Sequence, residues 1–260
     1  MKKKTKIISA LCCLMLFAFL ALGSGEKSST EKVKTNKNSD SSEKSADDND
    51  SNDNTDDDFN YEITDTYFDY FTDSIGEIEY MSYVEITNTG SGNIYLEDAT
   101  FDIEDDNEHL LQSNDYVYTC PDIIAPGEAG YFYYFSYIED GVDTSNGLNL
   151  VPQITVTEAS GEITDYEVSD TSMRQNDWDY MTITGRITNN TDEDLEYEPV
   201  YVIYYRSDGS IANIDFTYCD DIPAGQTESF EINSFFTGSN VSLDDITDYK
   251  VFARADYYQW

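Results

Sequence analysis

The main part of this sequence has very few basic residues. After Asn60, five basic side chains stand against 42 acidic ones, which gives a net charge of −37. A surface of that charge repels phosphate backbones, so we do not expect nucleic-acid binding. The charge fits three interpretations: solubility and dispersion of the monomer, binding of a divalent cation by converging carboxylates, or binding of a basic partner.

Histidine and cysteine are also scarce. His109 is the single histidine and follows an acidic turn, where we expect a solvated side chain. Cys120 and Cys219 are isolated, so neither a C-x-x-C spacing nor a histidine–cysteine set predicts a zinc site. They occupy equivalent positions about one domain length apart. We therefore expect two buried thiols, with an inter-domain disulfide as the alternative.

Two acidic clusters make calcium binding the alternative to our prediction that the protein has no cofactor. Each cluster surrounds a predicted turn, but neither has the glycine and the twelve-residue spacing of an EF-hand loop. We therefore predict no catalytic, metal-binding or cofactor-binding residues. The clusters are Asp102, Glu104, Asp105, Asp106 and Glu108, and Asp244, Asp245 and Asp248.

The longest apolar run lies close to the N-terminus. Four lysines precede the run from Ile7 to Leu22, and small residues at Ala21 and Gly23 suit cleavage before Ser24. This pattern predicts a signal peptide over residues 1–23 and an extracellular or cell-surface protein. An uncleaved anchor is the alternative, and membrane contact is expected only in that case. Serine stands where a lipobox would have cysteine, which argues against lipidation.

Residues 24–59 are rich in serine, lysine, asparagine and aspartate. The first half of this segment is rich in lysine and the second half is rich in aspartate. The segment lacks the apolar pattern that a packed core requires. It is predicted to be a disordered, charged linker.

Internal repeats divide the remaining chain into two parts, called here the first module (residues 60–160) and the second module (residues 161–260). The offsets between matching residues are 98 to 101 positions, and such a period indicates tandem domains. The repeated elements are Tyr80-Met81 and Tyr180-Met181, Ile86-Thr87-Asn88 and Ile187-Thr188-Asn189, Ile124-Ala125-Pro126-Gly127 and Ile222-Pro223-Ala224-Gly225, and Cys120 and Cys219.

Both modules contain short strand patterns separated by turn residues. From Ala99 to Ile103, apolar and polar side chains alternate, as in a strand with one buried face. The sequence Ser207-Asp208-Gly209-Ser210 lies between two apolar runs and predicts a hairpin. No 3.6-residue apolar stripe follows the N-terminal segment. The predicted fold is all-β, with two tandem antiparallel β-sandwich domains.

The second module resembles the FxLYD domain of exported bacterial proteins. Residues 185–191 are similar to the G-x-V-x-N-N-S/T start of that family, and residues 222–227 to its I-x-P-G-E-T segment. Residues 202–209 fall where the naming motif is expected, although Val202 and Arg206 replace its phenylalanine and aspartate. The resemblance implies an Ig-like sandwich without an assigned function.

Tyrosine is abundant, and residues 131–138 are aromatic or apolar on both faces of a predicted strand. In the matching strand of the second module, Phe230 and Ile232 face the core and Glu231 faces outward. The same phase places Phe132 and Tyr134 in the first core, and Val200, Val202 and Tyr204 are predicted for the second. The outward residues form the candidate interaction surface: Tyr131, Tyr133, Phe135, Tyr137, Tyr201, Ile203 and Tyr205.

Outward aromatic stripes of this kind have three interpretations. They pack against the other module, they form a platform for a ligand such as a glycan, or they bind a protein partner. The preferred hypothesis is a non-enzymatic secreted or cell-surface protein that acts as a binding, adhesion or spacer module. A carbohydrate-binding protein of the cell envelope is the alternative. A small hydrolase, built on paired carboxylates, is a third hypothesis.

Overall fold

The structure is a computed structural model, and part of the chain is described in it. The signal peptide predicted for residues 1–23 lies outside the described residues. So does Gly161, the first residue of the second module. In the described part, no helix is long and apolar enough to cross a membrane. The described residues are 28–32, 59–73, 75–160, 162–176, 180–234 and 242–255.

The fold is all-β, as predicted, and its strands pair in the antiparallel sense. A single short 3₁₀ turn, η1 (Leu243–Asp245), interrupts the strands in the described ranges. The strands are β1 (Ser28–Lys32), β2 (Tyr61–Thr72), β3 (Ile78–Asn88), β4 (Ile94–Glu104), β5 (Leu110–Asn114), β6 (Tyr118–Cys120), β7 (Ile123–Ile124), β8 (Ala129–Tyr137), β9 (Asn149–Glu158), β10 (Asp165–Gln175), β11 (Met181–Thr188), β12 (Leu195–Arg206), β13 (Ile211–Ile222), β14 (Thr227–Ser234) and β15 (Ile246–Arg254).

The first module has two sheets that enclose one core. One sheet has the order β2-β3-β8-β6, and the other has the order β1-β9-β4-β5, with β7 also paired to β4. The strand predicted for residues 99–103 lies within β4, where Ala99, Phe101 and Ile103 are buried in the core. Their period-2 alternation with polar residues is the reason that this strand has one apolar face.

The second module has one continuous sheet of six strands, with the order β13-β12-β15-β10-β11-β14. Strand β10 makes it continuous, because Asp165 and Tyr166 pair with β15 and the later residues pair with β11. The predicted hairpin joins β12 to β13. Its turn is closed by a hydrogen bond from the Arg206 N–H to the Ser210 carbonyl, and Gly209 has a positive φ of 85°.

The Ile-Thr-Asn repeat has the same structural role in both modules. Asn88 donates its side-chain amide to the carbonyls of Gly92 (2.8 Å) and Ile124 (2.9 Å). Asn189 donates in the same way to Glu193 (2.7 Å) and Ile222 (2.9 Å). Each buried amide therefore ties a strand end to two loops, which satisfies carbonyls that would otherwise be buried without a partner.

The predicted side-chain phases are confirmed in both modules. Phe132 is buried in the first core and Tyr134 packs against it, while Phe230 and Ile232 are buried in the second core. Strand β12 alternates as predicted, with its inward residues in the second core and its outward residues elsewhere. The inward residues of β12 are Val200, Val202 and Tyr204.

The two modules pack through a third apolar cluster, called here the interface cluster. It joins the outer face of the β2-β3-β8-β6 sheet to the outer face of β12, β13 and β15. Its buried members are Met81, Tyr83, Cys120, Tyr131 and Tyr133 of the first module and Tyr201, Ile203, Ile211 and Ile214 of the second module.

Arg254 adds a polar clamp between the modules. This almost buried guanidinium donates to both carboxylate oxygens of Asp165, at 2.6 and 3.1 Å. It also donates to two groups of the first module, the Glu128 carboxylate (2.8 Å) and the Ile123 carbonyl (3.0 Å). Planar bidentate pairing of this kind fixes orientation as well as supplying energy.

The two cysteines are free and buried, as we predicted from their spacing. Cys120 belongs to the interface cluster, whereas Cys219 belongs to the second core. Burial raises the pKa of the Cys219 thiol to about 11 and the pKa of the Cys120 thiol well above its ordinary value. Both thiols are therefore protonated at neutral pH and poor nucleophiles.

The prediction of a disordered linker over residues 24–59 needs a correction at one place. Residues 28–32 form strand β1, which pairs with residues 153–157 of β9. An edge strand presents unpaired backbone groups, and a short extended segment satisfies them even when its sequence lacks an apolar pattern. Residues 24–27 and 33–58 lie outside the described part of the chain.

Candidate functional site

The seven predicted surface residues do not form one exposed surface. Four of them are buried in the interface cluster, and Tyr205 packs against it, half-buried. Only Phe135 and Tyr137 are exposed. For the other five residues, the structure agrees with the first of the three interpretations, in which the outward stripe of each module packs against the other module. The four buried residues are Tyr131, Tyr133, Tyr201 and Ile203.

A different set of rings is exposed and continuous. We call it the aromatic ribbon, and it consists of Tyr116, Tyr118, Phe216, Tyr218 and Tyr197. Successive ring centroids along it are 5.5, 5.8, 5.2 and 3.9 Å apart. The second of these contacts joins Tyr118 of the first module to Phe216 of the second. The ribbon therefore crosses the boundary between the modules.

The exposure of the ribbon is high at its ends. Tyr116 is 71% exposed, Tyr197 56% and Tyr218 37%, whereas Tyr118 and Phe216 are half-buried in the middle. Tyr197 and Tyr218 stack with an angle of 15° between their ring planes. Offset or stacked aromatic pairs stabilise each other beyond the area that they bury. The result is a row of rings that is held in place and still open to solvent.

Strand alternation brings these rings to one face. Phe216 and Tyr218 are two residues apart on β13, so both point away from the second core. The next residue, Cys219, points into that core. Tyr197 lies on the paired strand β12, diagonally across from Tyr218, whose partner in register is Pro199. Tyr118 is the first residue of β6, which pairs with the edge of β8.

The base of the ribbon is partly removed from water. Burial raises the pKa of Tyr118, and electrostatic interaction with Tyr116, Tyr134 and Asp215 raises it further. Burial also raises the pKa of Asp215, although its carboxylate accepts a hydrogen bond of 2.8 Å from the Phe216 N–H. Ionisation of the Tyr118 hydroxyl and of the Asp215 carboxyl is therefore disfavoured at the base of the ribbon.

A second inter-module contact supports the opposite end of the interface. The Arg206 guanidinium lies 5.7 Å from the centroid of the Tyr67 ring, and it donates to the Tyr67 hydroxyl at 3.3 Å. Tyr67 in turn stacks on Tyr83 of the interface cluster, with centroids 5.1 Å apart. Cations over an aromatic face are favourable when partly desolvated. This contact and the Arg254 clamp hold the two halves of the ribbon in register.

The first acidic cluster is organised by hydrogen bonds within the turn. The buried Asp105 carboxylate accepts from the backbone N–H groups of His109 (2.9 Å) and Asn107 (2.8 Å). Its Oδ2 also lies 3.1 Å from Nδ1 of His109, whose side chain is exposed, as predicted. The His109 backbone bond is the largest cause that lowers the pKa of Asp105 below its ordinary value.

The second acidic cluster is placed around η1 and the start of β15. Asp244 and Asp245 lie in η1, which Ser242 caps with a contact of 3.4 Å to the Asp244 N–H. Asp248 accepts a hydrogen bond of 2.8 Å from the Tyr249 N–H. Across the described ranges, no three histidine, cysteine, aspartate or glutamate side chains are grouped so as to hold a metal ion.

Comparison with known proteins adds no family to this description. A scan against protein-family models finds no match. A search of the curated proteins finds none either. The resemblance to the FxLYD domain, and the Ig-like arrangement that it implies, stay predictions.

Sequence reasoning missed the aromatic ribbon, although it left a signal. Tyr116 and Tyr118, and Phe216 and Tyr218, are both aromatic pairs at a spacing of two residues. Such pairs mark one face of an extended segment, but they do not show which face stays exposed. That depends on how the modules pack, because the same period-2 signal at Tyr131 and Tyr133 belongs to buried residues.

Proposed function

We propose that this chain is a non-enzymatic secreted or cell-surface binding protein, and that the aromatic ribbon is its binding surface. The observation that carries the proposal is the unbroken contact of five rings across two modules, with both end rings more than half exposed. Contiguous exposed aromatic residues are typical of interfaces, where rigid rings bind at a low cost in conformational entropy. The N-terminal signal-peptide pattern supports export.

Carbohydrate binding is the second candidate for the same surface. The stacked pair of Tyr197 and Tyr218 presents nearly parallel rings 3.9 Å apart, at the most exposed end of the second module. A flat aromatic face of this kind suits the apolar face of a sugar ring better than it suits a branched side chain. A tyrosine also carries a hydroxyl that can donate a hydrogen bond to a sugar oxygen.

The test compares ring removal inside and outside the ribbon. The labelled full chain is applied to arrays of purified glycans and of purified extracellular proteins, together with the Tyr197→Ala and Tyr218→Ala variants. We expect each variant to lower the affinity for the bound probe by about tenfold, a loss of about 1.4 kcal/mol. Tyr137→Ala is the matched control, because Tyr137 is exposed but lies outside the ribbon.

Two outcomes decide between the candidates, and one rejects both. Binding to glycans that the ribbon variants lose and Tyr137→Ala keeps supports carbohydrate recognition. The same pattern on the protein array supports a protein partner. Equal affinity of the ribbon variants and the control for every bound probe would contradict the proposal, provided that their thermal unfolding is unchanged.

A further inference from the structure

The second module has a groove between the two end strands of its sheet. Strands β13 and β14 are neighbours in space, yet no backbone ladder joins them within the described residues. A cavity of about 320 Å³ lies between residues 217–221 of β13 and residues 228–231 of β14. Cys219 and Phe230, both members of the second core, form part of its lining. We call this cavity the β13–β14 groove.

The first module has a strand where the second module has this groove. There, β6 leaves the β4 side of the fold and pairs with residues 131–133 of β8. The repeat equates β8 with β14, so residues 229–231 are the counterpart of the edge that β6 covers. In the second module the counterpart of β6 stays in β13, since residues 218–219 pair with residues 198–199 of β12. The groove-side edge of β14 is therefore left without a strand.

Carboxylates border the groove on both of its strands. Asp220 and Asp221 belong to β13, and Glu228 and Glu231 belong to β14; all four are exposed. In the described part of the chain, Arg174 offsets one of them, at 3.6 Å from Glu231. Negative charge on both sides of the groove attracts basic side chains and repels acidic ones.

We propose that the β13–β14 groove binds an extended, lysine- or arginine-containing segment of a partner protein, which adds as a strand to the edge of β14. Main-chain hydrogen bonds to β14 supply affinity, as in other strand-addition complexes. Side chains alternate along such a segment, so one set faces inward and the other outward. The inward set meets Cys219 and Phe230 and is small, while the outward basic set meets the four carboxylates.

This site adjoins the aromatic ribbon and shares Tyr218 with it. The proposal goes beyond the proposed function and does not depend on it. The ribbon variant Tyr197→Ala leaves the groove lining intact, because Tyr197 is not part of it. Conversely, the groove variants described below keep all five rings, so the failure of one proposal is distinguishable from the failure of the other.

The probe is a capped seven-residue peptide in which lysine alternates with threonine or valine, titrated into the full-length chain. We expect amide chemical-shift changes and slowed hydrogen exchange at residues 217–221 and 228–232. We also expect at least a tenfold loss of affinity between 50 and 500 mM salt, because the recognition is ionic. Two control peptides replace the lysines by glutamate, or methylate alternate backbone nitrogens. Both are expected not to bind.

A pair of double variants tests the carboxylates. Asp220→Asn with Glu228→Gln is expected to weaken the lysine peptide at least tenfold. Asp192→Asn with Glu193→Gln removes the same charge from an exposed turn outside the groove and is expected to change affinity less than twofold. Thermal unfolding of both variants checks that they fold.

Three results would overturn the proposal. The first is the absence of shifts at residues 228–232 when the lysine peptide is in excess. The second is undiminished binding of the backbone-methylated peptide, since that modification removes strand pairing. The third is an equal loss in the two double variants, which would mean that the peptide responds only to the overall charge.

Discussion

The two modules share their strands and their buried asparagines but close their sheets in different ways. In the first module, β6 moves across to β8 and β1 covers the outer edge of β9. In the second, β10 bridges β15 and β11, and the edge of β14 stays open. The difference begins ahead of the cysteines: after Asn114 the chain leaves β4 and pairs with β8 from Tyr118, whereas β13 stays paired with β12 throughout. Pro121 lacks the N–H that continues a ladder, so β6 ends, while β13 runs on to Ile222.

This comparison teaches that a repeated sequence fixes strand identity more firmly than strand partnership. Asn88 and Asn189 make the same pair of bonds, one to a carbonyl four residues on and one to a carbonyl 36 or 33 residues on. The strands at the sheet edges lack such a shared bond, and β6 and its counterpart in β13 have different partners.

The largest effect is expected from removing the equivalent core rings. Phe132 has no exposed surface, whereas Phe230 is 5% exposed and lines the β13–β14 groove. We expect Phe132→Ala to lower the free energy of unfolding by about 4 kcal/mol, and Phe230→Ala by about 3 kcal/mol, because space already adjoins Phe230. Urea denaturation measures both values. A greater cost for Phe230→Ala would show that the groove is closed in solution.

Removing the clamp between the modules is the next largest effect. Arg254→Gln leaves the Asp165 and Glu128 carboxylates without their guanidinium, and we expect a loss of about 2 kcal/mol. We expect one unfolding transition for the wild type and two for the variant, since the modules lose part of their coupling. Arg186→Gln is the control, because Arg186 is exposed, and it should change the free energy of unfolding by less than about 0.5 kcal/mol.

Acid should weaken the same clamp. The hydrogen bond from Arg254 is the main cause that lowers the pKa of Glu128 below its unfolded value of about 4.3. Its stabilisation is therefore fully present above that pH and is lost as the pH falls through the folded value. Glu128 is partly exposed, so Glu128→Gln should cost only about 1 kcal/mol at pH 7. The gap to wild type should narrow below pH 4; a constant gap would contradict the assignment.

The smallest effect concerns the rates at which the two thiols react. Cys219 lines the β13–β14 groove, whereas Cys120 is sealed in the interface cluster. With iodoacetamide at pH 8, we expect slow alkylation of Cys219 and none of Cys120 until the chain is denatured. Peptide mass analysis over time follows both sites. Earlier modification of Cys120 would mean that the modules separate more readily than the groove admits reagent.

Alternation and turn chemistry were enough to predict the all-β fold, the strand at residues 99–103, the hairpin at residues 207–210 and the inward phase of Phe132 and Phe230. These features depend on near neighbours in the sequence. The contact between Tyr118 and Phe216 depends instead on how two outer faces dock. For that reason Tyr131 and Tyr133 were selected as surface candidates and lie buried, while the aromatic ribbon was missed.

Strand β1 and the β13–β14 groove could not be predicted from the sequence, for a related reason. The composition of residues 28–32 does not favour a strand. Strand β1 is stabilised instead by backbone pairing with the edge of β9, which would otherwise be vacant. Whether β13 stays with β12 or moves to β14 likewise depends on a few backbone hydrogen bonds. Those alternatives differ too little in side-chain pattern to be separated from the sequence.

The position of β1 has a mechanical consequence. A pull on the chain ahead of Ser28 loads the five residue pairs of β1 and β9 before any force reaches β2 at Tyr61. Because β1 is the end strand of its sheet, those pairs can part without any break in the pairing of β9 with β4 or of β4 with β5. Strand β1 is thus placed as a latch that tension on the chain ahead of Ser28 opens first.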